Sequence, residues 1–319
     1  MKKRNRVFVI YCLFALCVFA IALCSLAGCK KSTLKQTQNT ALSPEQKISQ
    51  YSNPNALISV SELNGIIQDR NLKIIDTRAY GMKDYRQIYP TGQIPGAIAV
   101  LRGHYQDPNR WNRIAPPNIM KWYIAKLGID SQDRIVIYGN DNGLQGRFYW
   151  MLKMYGCNNE IQILDGGFEK WKEAGYQTST EINKKLPQAR FDFNPVKADG
   201  SFVAHLNDIG EAASGNNSNN IIVDARSSSE YDSMHIPGSV NISVDEILNS
   251  DKTLKTAEEL TAVFTARGVT PDKNVYVYSN VGSRSSLIWF TLHELMGYPN
   301  VRNYDAGLKE WRYRERPVE

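Results

Sequence analysis

The sequence predicts an α/β protein: two tandem domains, each a mainly parallel sheet with helices on both faces. Three observations carry this. The chain repeats itself at a fixed interval, strand-like and helix-like segments alternate within each copy, and one stretch reads strand, tight loop, helix. The repeat rests on four ordered matches. Ile74-Ile75-Asp76-Thr77-Arg78 pairs with Ile222-Val223-Asp224-Ala225-Arg226, and Gln93-Ile94-Pro95-Gly96-Ala97 with His235-Ile236-Pro237-Gly238-Ser239. Ile135 to Tyr138 pairs with Val275 to Tyr278, and the segment ending at Trp171 with the one ending at Trp311. Tyr138 to Tyr278 is 140 positions, and Trp171 to Trp311 is again 140. A repeat on that scale outranks local readings.

Each copy reads alike. A helix over 60–69 leads to a strand ending in Asp-x-Arg, and a loop carries Ile-Pro-Gly. A helix near 117–127 (257–267 in the second copy) leads to the next strand. A loop, a helix, a last strand and a turn before the tryptophan complete the unit. Strands alternating with helices give a parallel sheet covered on both sides, with ligands beyond the carboxyl ends of its strands. The domains are expected at residues 57–178 and 201–319, joined by a linker over 179–200 that contains Lys184, Lys185, Pro187 and Pro195. Trp171, Trp311, Tyr105, Trp111 and Trp122 are expected to pack.

The N-terminus reads as an export signal. A basic MKKRNR start precedes an uncharged apolar run over 7–26, then Leu26-Ala27-Gly28-Cys29. That ending resembles a bacterial lipoprotein box, which implies a signal over 1–28 and lipid on Cys29. An uncleaved transmembrane anchor is the other reading, since the run is about long enough to span a bilayer. Either places the body outside the cytoplasmic membrane, on the envelope; inner or outer membrane stays open. Residues 29–56 then read as a lipidated, solvated tether. Of five cysteines, Cys12, Cys17 and Cys24 leave with the signal, Cys29 takes lipid and the body keeps Cys157. No disulfide can then form within the body. Of 38 basic residues, Lys2, Lys3, Arg4 and Arg6 belong to the signal, leaving 34 against 32 acidic ones. With no basic stripe interleaved by aromatics, nucleic acid is not an expected partner.

The stretch that carries chemistry is Val275 to Ser286, VYVYSNVGSRSS. Val275 to Tyr278 alternates as a buried strand, and Ser279 to Arg284 is a turn around Gly282. Leu287, Ile288, Phe290, Leu292 and Leu295 follow at helical spacing. Such a loop aims successive N–H groups at one spot before a helix N-terminus, which favours an anion. The expected anion set is Asn280, Val281, Gly282, Ser283 and Arg284, the last as a rigid cationic fork.

Tyr278, Ser279, Gly282, Arg284 and Ser285 resemble the active-site loop of the rhodanese family, Tyr-Cys-x-x-Gly-x-Arg-Ser. The resemblance covers about Ser59 to Arg316. It implies tandem rhodanese-like domains, persulfide chemistry on a cysteine at the position of Ser279, and no cofactor. Serine cannot form a persulfide, and without an adjacent base it is a weak nucleophile. The resemblance also sets Asp224 and Arg226 beside the loop. Arg226 joins the expected anion set, with an internal pair to Asp224 as the alternative, while Asp224 and His235 are expected to be structural. The first loop, from Gly139 through Asp141 to Arg147, resembles the inactive type that shapes the cleft. His293 is expected at a surface or interface. Four histidines, none in ligand spacing, give no metal site.

Three functions follow. The first is a small thiosulfate-like oxyanion bound without persulfide chemistry. The second is sulfur transfer through Cys157 or a partner's cysteine. The third is a scaffold in an envelope complex with a protein partner.

Overall fold

The computed structural model describes residues 42–140, 143–181 and 186–319. Cys29, the signal-like stretch, Asp141 and the linker residues Lys184 and Lys185 lie outside them. Among the described residues no helix is long and apolar enough to cross a membrane.

The first copy builds a five-stranded sheet in the order Leu57–Ile58, Ile161–Leu164, Arg134–Tyr138, Leu72–Asp76, Ile98–Ala99, all parallel. The second builds a four-stranded one in the order Val301–Tyr304, Asn274–Tyr278, Asn220–Asp224, Ser239–Asn241, also parallel. The register sets Tyr138 opposite Asp76 and Tyr278 opposite Asp224, at the carboxyl edge of each sheet. This explains two of the repeated motifs together. The Tyr138 hydroxyl donates to Asp76 (2.5 Å) and accepts from the Ile94 N–H (3.4 Å), while the Tyr278 hydroxyl accepts from the Ile236 N–H (3.0 Å). The tyrosine thus pins the Ile-Pro-Gly loop to the central strand.

Strand alternation sorts side chains to opposite faces with period two. Ile74, Val136 and Tyr138 enter a cluster private to the first sheet, with Phe168 and Trp171. Ile222, Tyr276 and Tyr278 enter the matching cluster of the second, with Trp311. Trp171 and Trp311 each donate from Nε1 to the carbonyl six residues on, Gln177 (2.8 Å) and Pro317 (2.6 Å). The opposite faces, with Ile75, Ile135 and Ile137 from one sheet and Val223, Val275 and Val277 from the other, enter a single cluster common to both. Residues 42–319 therefore form one compact unit in which the two copies share a core.

At the seam, helix Leu144–Met154 packs against helix Ser283–Phe290. Gly146 permits the approach, since a Cβ there would sit 2.7 Å from the Leu287 Cα. Two aspartates, again 140 positions apart, bind across the seam in both directions. Asp165 accepts the Leu254 N–H (2.8 Å), and Asp305 accepts the Ile114 N–H (2.7 Å). Lys47 ion-pairs with Asp165 and also donates to the Leu254 carbonyl, while Arg147 pairs with Asp305 (2.6 Å).

Other expectations need adjustment. The helix after the second loop passes into a π-helical turn, Thr291–Leu295, closed by Met296 N–H to the Thr291 carbonyl (2.9 Å). Trp122 does not pack inside: it is 53% exposed and lies under the Lys126 ammonium (3.8 Å). The linker runs along the first copy, with Ala189 N–H on the Ala125 carbonyl and Asn194 N–H on the Gly156 carbonyl.

Candidate functional site

The second loop leaves the sheet at Tyr278 and enters its helix through Gly282, whose φ of +72° is left-handed. A side chain there would collide with the Asp305 carboxylate, so glycine is required twice over. The Ser279 and Asn280 carbonyls accept from the Leu308 N–H (2.9 Å) and Lys309 N–H (3.1 Å). A trans peptide sets the next N–H opposite its carbonyl, so the Asn280 and Val281 N–H groups are aimed away from that helix. Among the described residues, the N–H groups of Asn280, Val281 and Ser283 donate to no protein acceptor. The loop is a set of unused donors at the start of an eight-residue helix.

These residues line a cavity of about 350 Å³. Ser279 stands in it, 1% exposed, whereas the Arg284 side chain is 27% exposed. Its Oγ has one side-chain neighbour among the described residues, the Ser285 Oγ at 3.4 Å. Among the described residues no histidine or carboxylate hydrogen-bonds to it, so none of them activates it as a nucleophile.

Two of the expected anion ligands are differently employed. Arg226 does not line the cavity. Its guanidinium forks onto Asp224 (Nε 3.0 Å, Nη2 2.5 Å) and donates to the Met234 carbonyl (2.5 Å). A carboxylate two residues back in sequence and fully buried captures it, so Arg226 is a structural partner of Asp224, as Arg78 is of Asp76. Arg284 does line the cavity, but it is held by both oxygens of Glu230 (2.5 and 2.9 Å). The Arg284 hydrogen bond, with its charge, holds the Glu230 carboxyl at about 2. A depressed carboxyl stabilises the fold above its ordinary value and ceases to as pH falls toward the folded one. Glu230→Gln is therefore expected to remove an acid-induced loss of thermal stability between pH about 4.5 and about 2. The same variant, by freeing Arg284, should tighten oxyanion binding roughly tenfold, the worth of one added charge-assisted hydrogen bond. A pH series of melting temperatures and a phosphate titration check the two effects.

His235 lies outside the cavity: its Nδ1 contacts the Tyr231 carbonyl (2.9 Å) and its ring stacks on Tyr231. His293 stacks on Trp289 and meets the Phe202 ring edge-on. Cys157 is buried, its thiol donates to the Asn159 Oδ1 (3.1 Å), and burial pushes it up to about 11, so it is protonated at neutral pH. In the first copy the Gln145 side-chain amide oxygen fills the space beside Gly139 that a side chain there would need.

The feature that sequence reasoning missed is Arg102, supplied by the first copy. It sits in a 3₁₀ turn, 9% exposed, with its guanidinium 5.1 Å from the Tyr80 ring centre. No carboxylate pairs with it among the described residues, and its Nε is buried without a hydrogen-bond partner. Burial, and behind it the like charge of Arg147, pulls its pKa below the ordinary value. Both costs are relieved by an anion. The Ser283 Oγ, in the same cavity, is also buried and unpartnered. Only folding brings Arg102 to a loop 177 positions away in sequence; no local pattern marks it.

The profile of the rhodanese-like domain matches residues 59–174 and 208–314. The chain belongs to the rhodanese family. The sulfur carrier protein TtuD of Thermus thermophilus is 30% identical to this rhodanese over 280 residues, 82% of this chain and 95% of its own. A Haloferax volcanii relative, provisionally named a thiosulfate sulfurtransferase, is 34% identical over 244 residues, 70% of this chain and 82% of its own. Among solved structures, the Escherichia coli 3-mercaptopyruvate sulfotransferase SseA superposes with a TM-score of 0.68 at 25% identity, covering 79% of this chain and 98% of that one. The anaerobic ergothioneine biosynthesis enzyme of Chlorobium limicola shares the fold at a TM-score of 0.70 and 23% identity, covering 84% of this chain and 71% of that one.

Proposed function

We propose that this rhodanese-family chain binds a small sulfur-type oxyanion at its second loop, without the family's persulfide chemistry, as a lipoprotein held to the outer face of the bacterial cytoplasmic membrane or beyond by lipid on Cys29. Arg102 is the observation that carries the anion reading. A buried, unpaired guanidinium is costly unless an anion completes it. Here it shares a cavity with free loop N–H groups and the Ser283 hydroxyl. Ser279, taken as the counterpart of the nucleophilic cysteine, has no base and cannot store sulfane sulfur.

Calorimetric titration with thiosulfate, sulfite, selenite and phosphate tests this. Binding of at least one is expected, and Arg102→Ala should weaken it at least tenfold, about the loss of one charge-assisted hydrogen bond. Silence toward all four anions, or an Arg102→Ala variant that binds as well as wild type, would sink the reading.

The names of the relatives favour a second reading, sulfur transfer by way of another thiol. The buried, protonated Cys157 is poorly placed for it, so that route needs a cysteine on a protein partner in the envelope. Wild-type sulfurtransferase activity appearing only with such a partner added would support it.

A further inference from the structure

The oxyanion cavity also contains a negative charge. Asp245, an exposed residue, lines it together with Arg102, Arg284 and the Ser279 loop. Among the described residues its carboxylate makes no hydrogen bond or ion pair, and neither cavity arginine is joined to it. Its place near the start of helix Val244–Ile247 does not call for a second acid, because Glu246 already caps that turn by accepting the Ser243 N–H (3.0 Å). A free carboxylate beside an anion site repels a bare anion. The volume of about 350 Å³ also exceeds what one tetrahedral anion fills.

We propose that the physiological ligand is a small zwitterion, an oxyanion joined by a short chain to a primary ammonium, with Arg102 and the loop N–H groups holding the anion and Asp245 the ammonium. This rests on the anion reading above. It makes Asp245 the residue that sets specificity. A bare anion meets one attractive and one repulsive charge, whereas an aminoalkyl sulfonate, sulfinate or phosphonate satisfies both. Ser227, Ser243 and the Tyr80 ring complete walls that suit a polar, short-chained molecule.

The test compares paired probes on the full-length chain in detergent: 2-aminoethylphosphonate against ethylphosphonate, and taurine against ethanesulfonate, with inorganic phosphate as the reference. Wild type should prefer the amino member of each pair about tenfold, the equivalent of one partly desolvated charge pair. Asp245→Asn, at an exposed position, should bring that ratio to about one while phosphate binds as well or better, since a repulsive charge is gone. Equal affinity for both members of each pair, with phosphate still bound, would overturn this proposal and leave the anion reading standing. A preference that persists in Asp245→Asn would overturn the role of Asp245. Absence of binding by phosphate and by all four probes would remove the anion reading and this proposal together.

Discussion

Replacing Ser279 by cysteine is expected to raise thiosulfate:cyanide sulfurtransferase activity at least about 100-fold above a silent wild type. Removing the nucleophile from an enzyme that depends on one costs about 10⁶-fold, so a recovery of about 100-fold is modest beside it. The thiolate would attack the outer sulfur of thiosulfate, breaking its S–S bond and releasing sulfite. Cyanide would then take the sulfane sulfur as thiocyanate and regenerate the thiolate. The cavity offers what a thiolate needs. The unused N–H groups of Asn280, Val281 and Ser283 and the unpaired Arg102 favour the anionic sulfur. A sulfur is larger than the hydroxyl it replaces, and Ser285 at 3.4 Å leaves it room. Steady-state assay of both proteins at pH about 8, near the ordinary thiol pKa, reads the result. If the variant is as silent as wild type, the cavity is not set up for sulfane sulfur. An active wild type would contradict the reading of Ser279 itself.

Arg147→Met is expected to cost about 3–5 kcal/mol of stability, because removing one partner leaves a buried charge uncompensated. Arg147 is fully buried, and its guanidinium is shared between Asp305 and the Asn112 carbonyl (2.5 Å). Without it Asp305 keeps only the Ile114 N–H across the seam. A melting temperature lower by roughly 10 °C is expected for a chain of this size. Adding Asp305→Asn should recover part of the loss, since the amide still accepts from Ile114 without a buried charge. The coupling energy from the full cycle measures the pair itself. If Arg147→Met melts within a degree or two of wild type, the seam does not depend on this ion pair.

The fold was legible because its signals are periodic. Tyr138 and Tyr278, the two Asp-x-Arg ends and the two tryptophans recur in order, and each has the same physical duty in both copies. The site was legible only where its geometry is local. The loop around Gly282 follows from strand, glycine and helix in immediate succession. Arg102 and Asp245 carry no such signal, being brought to the loop by the packing of one copy on the other and by a short turn of the second. Arg226 took the alternative the sequence already offered, the pair with Asp224. Arg284 misled for the opposite reason: an arginine looks available until its carboxylate is found, and Glu230 reaches it from a distant helix. The Glu230 position lies in a Ser-x-x-Glu helix start, so that carboxylate was readable as a cap, but its grip on a residue 54 positions later was not. The shared apolar face was equally hidden: strand alternation shows that both faces are covered, not that one cover is the other half of the chain.

The reciprocal binding of Asp165 and Asp305 has one more consequence. Each copy offers the other the same acceptor for the same kind of N–H, which is how a symmetric homodimer is held. Written into one chain, the association became unimolecular, so it no longer weakens on dilution. A symmetric dimer must also carry every substitution twice, once in each subunit. In this chain the halves could change separately, and they have: Gln145 takes the space beside Gly139 in one loop, while Arg102, lent by that same half, completes the cavity of the other.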